Sequence, residues 1–143
     1  TFSCDIDEIY DDFAAADLIV AHNVRFDINF MIAEFCYQDR RFRYKNEFDT
    51  MKFFTPIMKL TRENHRGYKY PKLSEMIEYL DIYPYDVTRK TAELFSVTGA
   101  GGHDARYDST ALYLAFNEGA KRVEELSDIK RKHVSHSPDE DDF

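Results

Sequence analysis

Leu18-Ile19-Val20-Ala21-His22-Asn23-Val24-Arg25-Phe26-Asp27 is the stretch on which the reading of this chain turns. Its first four residues form a continuous apolar run, the pattern of a strand buried on both faces in a largely parallel sheet. His22-Asn23-Val24 makes a turn, and a helix from about Arg25 to Asp39 is expected to follow. The apolar positions Phe26, Phe30, Met31, Ala33, Phe35 and Tyr37 would give that helix a broad buried face. A strand that passes straight into a helix predicts an α/β layer architecture.

The flanking sequence extends the pattern. Ile6, Ile9, Tyr10 and Phe13 repeat at helical spacing, so Asp5 to Ala16 reads as a short helix with its acids on the other face. Phe48-Asp49-Thr50 reads as a short strand or its end, leading into a helix from about Met51 to Leu60. Thr61 to Tyr70 is polar and basic, and reads as a loop. Pro71 suits the first turn of a helix over Lys72 to Leu80, because its missing N–H costs nothing there. Pro84 is placed in a connection, with an irregular stretch running to Gly102. A long helix is expected from Asp104 towards Leu126, carrying Ala105, Ala111, Leu112, Leu114, Ala115 and Phe116 inward. Asp49 and Asp104 are placed as helix caps.

Composition sets the class. The chain has 143 residues, 43% hydrophobic and 32% charged, which suits one folded domain rather than a disordered chain. No apolar run nears the roughly 20 residues of a membrane span. Cys4 and Cys36 form no CxxC pair and read as reduced thiols, which fits a cytoplasmic protein. The chain opens on Thr1 rather than methionine, as a fragment or a processed chain would. The formal charge is −8, and Asp139, Glu140, Asp141 and Asp142 supply half of it. Basic residues gather at Arg40-Arg41-Phe42-Arg43-Tyr44-Lys45, between Lys59 and Lys72, and at Lys130-Arg131-Lys132. Such clusters are more often a solvated face than a phosphate track. The domain is expected over 1–132, with a disordered acidic tail over 133–143.

A second segment carries chemistry. His103-Asp104-Ala105-Arg106-Tyr107-Asp108 places a histidine five residues ahead of a carboxylate, behind Gly99, Gly101 and Gly102. With Asp27 it supplies two acids and a titratable base, parts that a metal-assisted phosphodiester hydrolase needs.

His22-Asn23-x-x-Phe26-Asp27 after a strand, and His103-x-Ala105-x-x-Asp108 opening a helix, resemble the second and third motifs of the DEDDh 3′–5′ exonucleases. These are the exonucleases of the proofreading epsilon-subunit type, with a ribonuclease H-like fold. Phe48-Asp49-Thr50 and Pro71-Lys72-Leu73 also resemble segments common in that family, so the likeness runs from about residue 5 to 118. It implies that Asp27 and Asp108 hold metal and that His103 is the general base acting on the attacking water. The implied cofactor is Mg²⁺ or Mn²⁺ in a two-metal site, since hard cations of this kind prefer carboxylate oxygens. Asp27 is thereby a catalytic as well as a metal-binding candidate. His22, Asn23 and Phe26 are the substrate-binding candidates. His22 and Asn23 would also order the turn, and Phe26 would be core or a ring that stacks on a terminal base.

The family's first motif, Asp-x-Glu, occurs nowhere in the sequence. Asp5-Ile6-Asp7 stands nearest, but it falls at an expected helix start, where acids serve the helix dipole. The resemblance therefore implies a fold missing its N-terminal strands, with an exposed apolar edge that invites self-association. The implied substrate is a single-stranded or frayed DNA 3′ end, with RNA equally compatible. The alternative is a non-catalytic scaffold that binds nucleic acid or protein. Pro138 to Phe143 resembles the partner-binding tips of single-stranded-DNA-binding proteins, which would suit a replication-protein partner; the plainer alternative is a solubilising end.

Overall fold

The computed structural model describes residues 6–63 and 66–133. Within them the chain is mixed α/β and mostly helical. The order is α1 (Ile6–Ala15), β1 (Ile19–Ala21), α2 (Val24–Tyr37), β2 (Glu47–Asp49), α3 (Thr50–Met58), α4 (Leu73–Tyr79), α5 (Pro84–Phe95), α6 (Ala105–Arg122) and α7 (Glu124–His133). β1 and β2 pair in parallel, with Ile19 opposite Glu47, Val20 opposite Phe48 and Ala21 opposite Asp49. A parallel pair joined through a helix is the βαβ unit that the apolar run predicts.

The strands divide the interior in two, because side chains alternate across a strand. Ile19 and Ala21 pack on one side with Val24, Ile28, Phe35 and Phe42, closed by Ile6, Ile9, Tyr10 and Phe13 of α1. Leu18, Val20 and Phe48 pack on the other side, against a larger cluster from α3 to α7 that includes Phe54, Met76, Leu80, Val87, Ala115 and Leu126. Gly119 lets α6 close on that cluster. A Cβ there would stand 2.7 Å from Leu126 Cδ2 and 2.9 Å from Phe54 Cζ. Both of those side chains are fully buried and have nowhere to retreat.

Several expectations need correction. The stretch after Pro84 is not irregular. Pro84 is the first residue of α5, where its fixed φ suits a helix start. Val87 and Thr91 bury one side of that helix, and the Thr91 hydroxyl donates to the Val87 carbonyl at 2.6 Å. Pro71 lies ahead of the Lys72 cap rather than inside α4. The long C-terminal helix breaks at Val123, which has extended backbone angles, so α6 and α7 are separate. Ala105, expected to face inward, is exposed.

The largest correction concerns α2. Its buried residues are Val24, Ile28 and Phe35, whereas Phe26, Phe30 and Tyr37 face out, 68%, 54% and 85% exposed. Both sets have the same helical spacing, offset by two residues. That offset turns one set to the opposite side of the helix from the other. Phe26 is therefore not core. The expected acidic tail, beyond His133, lies outside the described residues, as do Cys4 and Asp5. Cys36 is free and exposed, and no described helix is long and apolar enough to cross a membrane.

Candidate active site

Two corners hold the residues singled out by the sequence. The first lies where β1 and β2 end and the next helices begin. Asn23 takes a left-handed conformation, φ 74°, which turns the chain sharply from β1 into α2. Asp49, at the end of β2, secures that turn. Its Oδ1 accepts from the backbone N–H of Asn23 at 3.0 Å, and its Oδ2 accepts from that of Val24 at 3.2 Å. Oδ1 also accepts from the N–H groups of Met51 at 2.9 Å and Lys52 at 3.4 Å. One carboxylate thus serves the N-terminal donors of both α2 and α3, groups that have no partner within their own helices.

His22 ties this corner to a third segment. Its Nε2–H donates to the Pro71 carbonyl at 2.7 Å. Its Nδ1 stands 2.9 Å from the hydroxyl of Thr50, a fully buried residue. That hydroxyl is also 3.2 Å from the Ala21 carbonyl. In the neutral ring Nδ1 accepts a hydrogen bond from the Thr50 hydroxyl; in a protonated ring Nδ1–H donates to that oxygen and the hydroxyl donates to the Ala21 carbonyl. Burial holds the imidazole below its ordinary value of 6.5, against the opposing pull of the Pro71 carbonyl and of the charges on Asp49 and Asp27.

This direction fixes a pH dependence. A base whose affinity for protons is lowered by folding stabilises the fold above its unfolded value. That stability is lost as pH falls through the folded value. Urea melts from pH 8 downwards should therefore show a loss of stability below about 6.5, which His22→Gln abolishes. An unchanged acid limb in His22→Gln would assign the loss to other groups.

Asp27 sits in the first turn of α2. Although Asp27 is exposed as a residue, local desolvation of its carboxyl raises it above the ordinary 3.8, and the neighbouring Asp49 charge adds to that rise. A carboxyl in this state gains from a nearby cation, because a positive charge favours the ionised form.

The second corner opens α6. Gly99, at φ 70°, bends the loop, and His103 follows at φ 70°, an uncommon angle for a residue with a Cβ. Asp104 caps α6 by accepting from the Arg106 N–H at 2.9 Å. Arg106 also folds back on it through Nε and a terminal nitrogen, at 3.1 and 2.8 Å. That fork holds the Asp104 carboxyl down at about 2. Both caps predicted from the sequence are present.

His103 and Asp108 share a cleft of about 970 Å³ between α4 and the start of α6. Leu73, Ile77 and Ala111 line it with apolar surface, and Lys72 and Glu78 are among its charged groups. His103 is exposed and Asp108 half-buried. Asp27, His22 and Asn23 do not line this cleft. The link between the corners runs through the chain: His22 holds the Pro71 carbonyl, and Lys72 of the cleft wall comes next. The structure thus brings His103 and Asp108 together, and groups Asp27, His22 and Asn23 around Asp49.

Asp27 and Asp108 offer the hard oxygen donors that Mg²⁺ or Mn²⁺ favours. Among the described residues, however, no three His, Cys, Asp or Glu side chains gather as a metal site would require. The described residues do not make such a site by themselves. Sequence reasoning missed three contributors: the second cap made by Asp49, the Thr50 partner of His22, and Lys72. The Asp49 role depends on its register opposite Ala21, which a sequence does not state. Comparisons with protein-family models, with curated proteins and with solved structures found no match to this chain.

Proposed function

We propose that this chain carries the second and third motifs of a metal-dependent 3′–5′ exonuclease of the DEDDh type, on a ribonuclease H-like framework, acting at DNA 3′ ends. One observation carries the reading. Asp27 lies in the first turn of the helix after a parallel strand, and His103 and Asp108 share one cleft at the start of α6, which supports the reading. A divalent ion, when bound, would stabilise the charge that develops on the phosphate oxygens. Asp27 and Asp108 stand at separate corners, so each would serve a metal only with carboxylates from outside the described residues. His103, exposed at the cleft, would take a proton from the attacking water. Lys72 adds a positive charge to the wall of the same cleft.

Among the described residues no three His, Cys, Asp or Glu side chains gather to hold a metal, which leaves a second reading, a scaffold of exonuclease origin that binds without hydrolysis. Mn²⁺ binding followed by electron paramagnetic resonance separates the two. The enzyme reading expects binding that Asp27→Asn and Asp108→Asn each weaken by about tenfold or more. Mn²⁺ binding that is absent, or indifferent to both substitutions, leaves the scaffold.

A further inference from the structure

The loop between α5 and α6 holds His103 in a conformation that its own side chain disfavours. The Asp104 N–H donates to the Gly101 carbonyl at 3.1 Å, closing a turn with His103 in its third position. His103 takes φ 70° there, where turns usually carry glycine or asparagine. A residue with a Cβ keeps such an angle only where its surroundings impose it. Gly101, Gly102 and His103 are all exposed, so burial of the turn does not impose it. Its two ends must.

At the far end Asp104 caps α6 and is clamped by Arg106. At the near end the Thr88 hydroxyl donates at 2.9 Å to the Ala100 carbonyl, the peptide oxygen just ahead of Gly101. Ala100 is buried in the larger core cluster, an apolar foothold between Gly99 and Gly101. Thr55, Thr91 and Thr110, also helical, turn their hydroxyls to the carbonyl four residues back in their own helices. Thr88 instead reaches out of α5 to a loop residue twelve positions on. With both ends fixed, only Gly101, Gly102 and His103 lie between them, too short a span to carry His103 far from the cleft.

We infer that Thr88 is a positioning residue: its hydroxyl pegs the loop to α5 and so fixes His103 at the cleft. The consequence for catalysis rests on the nuclease reading. Thr88→Val removes the peg at nearly equal shape, and Thr88→Ser restores the hydroxyl. Hydrogen exchange reads the peg without any substrate. In Thr88→Val the Asp104 amide should exchange about fivefold faster, measured relative to the amide of buried Ala115, which tracks unfolding of the whole chain. Thr88→Ser should restore the slower rate. Cleavage of a single-stranded oligothymidylate reads the consequence. There kcat should fall about fivefold or more in Thr88→Val, with KM kept, and recover in Thr88→Ser. Unchanged Asp104 exchange in Thr88→Val, or equal acceleration in both variants, overturns the inference. So does a kcat that Thr88→Val leaves intact, or that both variants lower alike. A chain that cleaves nothing overturns the nuclease reading instead, and the exchange rates then decide the peg by themselves.

Discussion

Asp49→Ala should lower the stability of the chain by about 2–4 kcal/mol, on the footing that each of two helix N-termini loses a cap. The carboxylate accepts from four backbone N–H groups, two on the turn into α2 and two at the start of α3. Removing it strands those donors in a half-buried corner, where an unpaired group bears its desolvation cost. Asp49→Asn keeps one acceptor oxygen and should lose about half as much. Urea unfolding measures both through the midpoint, with the slope unchanged if the native fold survives. A loss below about 0.5 kcal/mol in Asp49→Ala, the level of an ordinary surface change, would mean that the turn holds itself.

The same residue shows what the sequence conveyed and what it withheld. The apolar run at Leu18 announced β1, because four apolar residues ending in a polar turn leave few other readings, and the strand forms over Ile19–Ala21. α1 followed from helical spacing, α3 and α4 were expected after the Phe48-Asp49-Thr50 strand and Pro71, and Asp49 and Asp104 were legible as caps because aspartate before a helix has a local purpose. The second duty of Asp49 was not legible, since it depends on β2 lying beside β1 in a particular register. α5 escaped notice because Thr88-Arg89-Lys90-Thr91 is polar and Pro84 looked like a stop. Only packing on Val87 and Thr91 made it a helix. α2 formed where expected, with Phe35 buried, but most of its buried face was misassigned. Its sequence offers two apolar stripes of equal spacing, and nothing local says which one meets α1 and the strands.

The candidate site divides along the same line. His103 and Asp108 were found together because five residues separate them, and the turn that opens α6 brings both to one cleft. Asp27 was found by its motif, but its surroundings are tertiary. They consist of the Asp49 cap, the His22 bridge to Pro71, and the local desolvation that raises its carboxyl. Spacing identified which side chains carry chemistry. It did not show that one corner is tied to the other through the carbonyl ahead of Lys72.

Hydrolysis is the second large effect. A general base contributes about a hundredfold or more to such a reaction, so on the proposed reading His103→Ala cuts the rate by at least that much. On the same reading Asp108→Ala abolishes it, because alanine offers no oxygen donor in place of the proposed metal ligand. Both residues lie at the surface of the cleft, so neither variant should unfold the chain. The measurement is release of nucleotide from a 3′-labelled single-stranded DNA in Mg²⁺ or Mn²⁺, with this chain and the two variants side by side. Rapid release by the unaltered chain, lost in both variants, is the expected result. Release no faster than in Asp108→Ala would contradict the exonuclease reading and leave a binding scaffold.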